Sequence, residues 1–200
     1  MKTVSQNNII EVGLDEVARG CMFGRVYTAC VIWPEDYVEN PNYIIKDSKQ
    51  LSKKKREELY YYILDTAIEW NINYIEPEEI DNINILQATL KSMHTNLDNL
   101  LIDVDHILVD GSNFKKYSNI PYTCIIKGDN IYYSIAAASI LAKVAHDWYI
   151  EDLCNKNPEL NIKYDLLNNM GYGTKKHMDS IKKYGTTQYH RKSFGICKYY

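Results

Sequence analysis

Three apolar runs, far apart in the chain, each lead into acids: "NIIEVGL" before Asp15 and Glu16, "HILVD" ending at Asp110, and "YTCIIKGD" ending at Asp129. Short continuous apolar runs of this kind read as strands buried in a sheet. If the three lie parallel, their C-terminal ends share one edge, and four carboxylates arrive there together. Ligands of open α/β sheets bind in the crevice outside that edge. Like charges held close in a low dielectric raise each other's pKa, so something positive must compensate them, either a neighbouring lysine or a metal ion. Hard divalent cations such as magnesium and manganese take oxygen ligands, commonly a few carboxylates. One acid after one strand is a turn former or helix cap, and the dipeptides at Asp110-Gly111 and Gly128-Asp129 are common in turns. All four together, with Asp15 and Glu16 adjacent, favour a metal site.

The rest of the chain alternates strands with helices. "GRVYTACVIW" (24–33) is β-branched and aromatic and follows the first strand closely, which predicts an antiparallel neighbour. Ser52 is the expected N-cap of a helix carrying Leu59, Ile63, Ala67 and Trp70 at helical spacing. "NINYIE" (71–76) predicts a third strand, and the segment from Pro77 a turn followed by a helix with Ile85, Leu86, Thr89, Leu90, Met93 and Leu97 on one side. "SIAAASILAKVAHDWYIEDL" is a helix of small residues suited to packing closely on a sheet, and "TKKHMDSIKKYG" a basic helix stopping at Gly185. This pattern gives an α/β layer fold. Two hundred residues fit one compact unit, here with a main domain over 1–157 and a helical extension over 158–200.

The formal charge of −3 does not mark a nucleic-acid binder, so any basic surface must be segregated. Lys175, Lys176, His177, Lys182, Lys183, Arg191 and Lys192 supply such a cluster in the extension, where a duplex would dock or where lysines are simply solvated. Five scattered cysteines with no CxxC spacing argue against zinc and for reduced thiols. The start, "MKTVSQNN", has no apolar signal region. The longest apolar stretch, "SIAAASILAKVA", is too short to span a bilayer. A cytoplasmic protein that makes no membrane contact is expected.

Five blocks in order, "VGLDEVARG", "KDSKQLS", "ILVDG", "KGDNIYYSIAAASILAKVAHD" and "MGYGTKKH…YGTTQYHRKSF", resemble ribonuclease HII, the type 2 ribonuclease H, over Val12 to Phe194. The resemblance implies an RNase H-like mixed five-stranded sheet flanked by helices with a helical C-terminal extension. It also implies cleavage of the RNA strand in RNA–DNA hybrids and incision 5′ to ribonucleotides embedded in duplex DNA. Asp15, Glu16, Asp110 and Asp129 match the family's active-site acids, which hold two divalent ions, Mg2+ or Mn2+. Such a pair stabilises the attacking and leaving oxygens of an in-line displacement, leaving 5′-phosphate and 3′-hydroxyl ends.

The same resemblance carries the substrate contacts. A Gly-Arg-Gly stretch that approaches the ribose 2′-hydroxyl with backbone groups is here Ala18-Arg19-Gly20. A negative φ at Ala18 would leave that contact intact, and a positive one would weaken or reshape it. Tyr172, between two glycines, matches the tyrosine that stacks on the sugar beside the ribonucleotide; the other reading is a core tyrosine. Lys46 and Ser48, with Asp47, are placed near the cleft, Lys46 on a phosphate or in solvent. Lys143 matches a lysine that needs either a site carboxylate or a substrate phosphate. Where the family has arginine before Asp147, this chain has His146, expected to be a weaker, pH-dependent cation. Lys175 and Arg191 are expected on the duplex. The last residues, "GICKYY", show no sliding-clamp-binding peptide, and a monomer is expected. The rival readings are a non-catalytic nucleic-acid-binding module and a broader nuclease on the same fold.

Overall fold

The computed structural model describes residues 1–4 and 8–200, so part of the polar start lies outside the described residues. Five strands form one mixed sheet: β1 (Glu11–Val17), β2 (Val26–Ile32), β3 (Glu69–Ile75), β4 (His106–Asp110) and β5 (Tyr122–Ile125), in the order β3-β2-β1-β4-β5. β1 pairs antiparallel with β2, which pairs antiparallel with β3, whereas β1, β4 and β5 run parallel. The expected antiparallel neighbour and the expected parallel trio are both present. β1 is displaced from its sequence-based span, so that Asp15 and Glu16 lie inside the strand rather than after it.

The helices are α1 (Lys53–Thr66), α2 (Pro77–Ile83), α3 (Ile85–Asp98), α4 (Tyr133–Lys156), α5 (Pro158–Tyr164), α6 (Leu166–Asn169) and α7 (Lys175–Tyr184). Ser52 caps α1, its side chain accepting from the Lys55 N–H. That helix ends at Thr66, so Ala67 and Trp70 leave it; Trp70 sits in β3, whose pairing with β2 overrides the helical spacing. The turn expected at Pro77 is itself a helix, α2, with proline in its first turn.

Side chains alternate along a strand, and here the two faces have different partners. Val12, Leu14, Ile107 and Val109 pack with Met93 and Leu97 of α3. Ala29 and Val31 pack with Ala136, Ala137, Ile140 and Leu141 of α4 on the opposite face. Small residues let α4 approach closely. At Gly13 the approach is backbone to backbone, and a Cβ there would lie 2.5 Å from the Ile135 nitrogen.

The C-terminal segment packs on the β1–β2 connection. Met22 N–H donates to the Gly171 carbonyl at 2.9 Å, Gly24 N–H to Tyr189 at 2.8 Å, and Arg191 N–H to Met22 at 2.8 Å. Gly171 has φ +81, and a Cβ on it would meet the Phe23 carbonyl oxygen at 2.6 Å, so only glycine fits that contact. All five cysteines are free. Among the described residues no helix is long and apolar enough to cross a membrane.

Candidate active site

The parallel register aligns Leu14 with Val109, so Asp15 and Asp110 follow at matching positions on neighbouring strands, which lie about 4.8 Å apart. Both fall on the α4 face by alternation from Leu14 and Val109. Asp129 enters from the turn Gly128–Asn130 after β5 and is buried beside α4. Glu16 leaves the opposite face of β1 at its tip, where Arg19 pairs with it at 3.0 Å. Three acids therefore lie on the α4 side, and Glu16 leaves the other face at the strand tip, paired with Arg19.

Burial is the largest cause raising the Asp15 pKa well above the carboxylate range, followed by the charges of Glu16 and Asp110. Burial also raises Glu16, Arg19 opposing it and Asp110 adding to it. Asp129 is raised by burial, then by Asp110 and Asp47, with Lys49 opposing. Asp110 thus acts on all three other acids. Each acid meets the mutual repulsion with a local donor: Asp15 accepts from the Glu16 N–H at 2.6 Å, Asp110 from the Gly128 N–H at 2.7 Å, and Asp129 from Asn130 at 2.9 Å. Among the described residues no three His, Cys, Asp or Glu side chains are gathered in a way that could hold an ion. The donor set nonetheless suits a hard divalent cation, all oxygen and anionic, and two of its acids, Asp110 and Asp129, line an open depression with Asp47, Lys49, Gln50 and Lys127.

The flanking residues divide sharply. Arg19 and Gly20 are exposed, and Tyr172 is 40% exposed. Ala18 is buried with φ +67. This is the positive φ for which the sequence predicts a weakened or reshaped ribose contact; the alanine nevertheless holds a left-handed conformation open to glycine, at the strain it incurs there. Tyr172 is raised to about 12 by burial and by Cys21. Lys46 is exposed. Ser48 is not on the cleft surface: it is buried and its hydroxyl lies 3.1 Å from that of Ser139, which in turn hydrogen-bonds Asp15. Lys143 is paired with none of the four site acids; it donates to Asp147 at 2.8 Å.

His146, Arg191 and His177 also depart from the sequence-based expectation. His146 is not a pH-dependent cation. It is fully buried, burial lowers its pKa, and its Nδ1 lies 3.0 Å from Asp147, so it is neutral at physiological pH. Arg191 is not on the duplex surface, nor is His177; both are wholly buried, leaving Lys175, Lys176, Lys182, Lys183 and Lys192 as the exposed cluster. Of these, Lys176 pairs with Asp165 and Lys182 with Asp179.

Sequence reasoning missed the support beneath the site. Asp147 is a buried hub that binds His146, Lys143 and, at 3.7 Å, Arg56. Burial works to raise Asp147, but His146 and Lys143 outweigh it and hold the acid below the usual range. Arg56 also donates to the carbonyls of Ser48 and Leu51, fixing the loop that presents Lys49. The adjacent base and acid of "AHD" are a visible signal; Arg56, in a basic run, gives none.

A family model describing ribonuclease HII matches residues 12–197. The chain belongs to the ribonuclease HII family. Relatives named ribonuclease HII include that of Bacteroides fragilis, 48% identical over 188 residues and covering 94% of this chain and 90% of its own. That of Bacteroides thetaiotaomicron is 47% identical over 189 residues, covering 94% and 91%. Among solved structures, the ribonuclease H2 of Pyrococcus horikoshii superposes with a TM-score of 0.78 at 25% identity, covering 94% of this chain and 95% of that one. A ribonuclease HIII solved in complex with Mn2+ has a TM-score of 0.72 at 18% identity, over 97% of this chain and 70% of that one, and shares the fold. Membership of the ribonuclease HII family makes the chain a ribonuclease H, a metal-dependent hydrolase.

Proposed function

We propose that this chain cuts the RNA strand of RNA–DNA hybrids and also incises duplex DNA on the 5′ side of an embedded ribonucleotide, leaving 5′-phosphate and 3′-hydroxyl ends. The observation that carries the proposal is the meeting of Asp15, Asp110 and Asp129 on one face of the parallel edge, with Glu16 at its tip. Two divalent ions, magnesium or manganese, held by these four carboxylates, would supply charge neutralisation at the scissile phosphate and an activated water. A relative of the same fold that was solved with Mn2+ supports that choice.

The protein's own groups do the rest. Ser139 holds Asp15 in place. The Gly128 amide holds Asp110, and Lys49 tempers the charge of Glu16 and Asp129. The Ala18–Gly20 backbone and the half-exposed Tyr172 ring lie close enough for Tyr172 to feel the Ala18 backbone, which supports a ribose on one and the neighbouring sugar on the other. Exposed lysines of α7 give sequence-independent phosphate contacts. Packing of 170–191 against the β1–β2 connection supports reading the extension as one wall of the cleft. The working form is a cytoplasmic monomer with access to DNA.

Three duplexes test this with magnesium or manganese present: all-DNA, RNA–DNA, and DNA with a single ribonucleotide. Cutting of the latter two only is expected. Efficient cutting of all-DNA duplex would favour a broader nuclease, and binding without any cutting a retired enzyme.

A further inference from the structure

Arg191 heads the fully buried side chains by volume. A buried guanidinium needs acceptors, and this one takes them from the β1–β2 connection. Its Nε–H donates to the Gly24 carbonyl at 2.8 Å and its Nη1 to the Arg19 carbonyl at 3.1 Å. Its own backbone N–H holds the Met22 carbonyl. One face of the guanidinium lies 5.1 Å from the Phe194 ring centre. Burial lowers its pKa to about 10, which leaves it charged at neutral pH. The fork therefore grips residues 19 and 24 at once.

Next to it, His190 and His177 meet through their Nε2 atoms at 3.3 Å. The Thr187 N–H donates to His190 Nδ1 at 3.0 Å, so that nitrogen carries no proton and Nε2 does. His177 Nδ1 lies 3.0 Å from the Tyr172 carbonyl, which only accepts, so His177 carries its proton there and receives the His190 proton at Nε2. Both rings are neutral, as their burial requires. Phe23, from the same β1–β2 connection, stands edge-on to His190 at 5.0 Å. One packed block thus grips the Arg19 carbonyl with one arm and the Tyr172 carbonyl with the other.

We infer that Arg191 and the His177–His190 pair are positioning residues that fix the distance between the Ala18–Gly20 backbone and the Tyr172 ring, and so set where a ribonucleotide and its neighbouring sugar enter the cleft. The inference rests on the function proposed above. Misplacement by about 1 Å away from the chemistry costs about 10²-fold in rate, which is the scale to expect when the brace loosens.

Arg191→Lys tests this, because it keeps the charge and loses the fork. On duplex DNA with a single ribonucleotide, kcat is expected to fall by about 10- to 100-fold with KM nearly unchanged. The salt dependence of duplex binding should stay as in the parent protein, since no phosphate contact is removed. His177→Asn places an amide nitrogen where Nδ1 sat and should keep most of the rate, whereas His177→Leu should lose it as Arg191→Lys does. A salt slope lowered by about one, with kcat intact, would make Arg191 a phosphate contact and overturn the inference. So would unchanged kcat and KM, or a fall in kcat matched by an equal fall in the titrated fraction of active enzyme. Hydrogen exchange on the free protein separates this inference from the function. Faster exchange at the amides of Met22 to Gly24 in Arg191→Lys supports the brace even if no duplex is cut, and unchanged exchange there refutes it.

Discussion

Asp110→Asn should make the metal-free protein more stable while destroying its activity. The Gly128 amide donates to Asp110 Oδ1 at 2.7 Å, and asparagine retains an oxygen for that bond. What leaves is one negative charge that now raises the pKa of Asp15, Glu16 and Asp129. At about 6 Å and an effective dielectric of about 20, each such pair repels by about 3 kcal/mol before relaxation. Screening and partial protonation of Asp15 recover most of that, leaving a net gain of about 1 kcal/mol, or about 2–4 °C in Tm for a chain of this size. Calorimetry in chelator reads the gain. Manganese should then raise the Tm of the parent protein more than that of the variant, and cleavage should fall by at least about 10²-fold. The pH dependence has a definite sign. Asp15 is raised in the folded state, so its favourable contribution is complete below the unfolded value of about 3.9 and is lost as pH rises through the folded one. The variant's advantage should therefore widen from acid towards neutral pH. A lower Tm for metal-free Asp110→Asn, or an equal manganese shift in both proteins, would refute the charge cluster.

Ala18→Gly should shift Tm by no more than about 3 °C, because relief of about 1 kcal/mol of positive-φ strain is offset by a freer unfolded chain and a lost buried methyl. Cleavage beside a single ribonucleotide should change by less than about threefold, since the backbone already holds φ +67; a large gain in rate would show that the methyl obstructs the ribose. Gly171→Ala meets both a φ of +81 and the Phe23 carbonyl; chemical denaturation should show a loss of about 2 kcal/mol or more. Burial and the neighbouring His177 hold His190 down at about 3, so the unfolded chain binds its proton first and stability is lost as pH falls below about 6.5. Near pH 5 this should amount to about 2 kcal/mol, and His190→Gln should flatten that limb of the denaturation profile.

The strands and acids were legible because apolar runs and turn residues are local signals. Asp110 and Asp129 follow "HILV" and "YTCIIKG", and their meeting needs parallel pairing, which the sequence offers only as a condition and the structure supplies. Trp70 reads as helical because its spacing from Ile63 continues past Thr66, and only pairing with β2 ends that helix. Arg191 and His177 read as surface cations because they sit among exposed lysines, in a segment whose burial depends on contacts distant in the chain, such as that of Arg191 with the Arg19 carbonyl. His146 reads as a cation because its burial depends on Tyr27, distant in the chain, and on the packing of α4; Asp147 is its visible neighbour, but the burial of the pair is not. The φ at Ala18 likewise follows from packing, not from the alanine.

Strand β1 carries Asp15 towards α4 and Glu16 away from it, with Gly13 beneath the start of that helix. A frame slip of a single residue along this strand would exchange the two acids between faces and drive a side chain into the Ser134–Ile135 backbone. The spot that lets the helix dock therefore also penalises any other alignment of the two acids two and three positions further on.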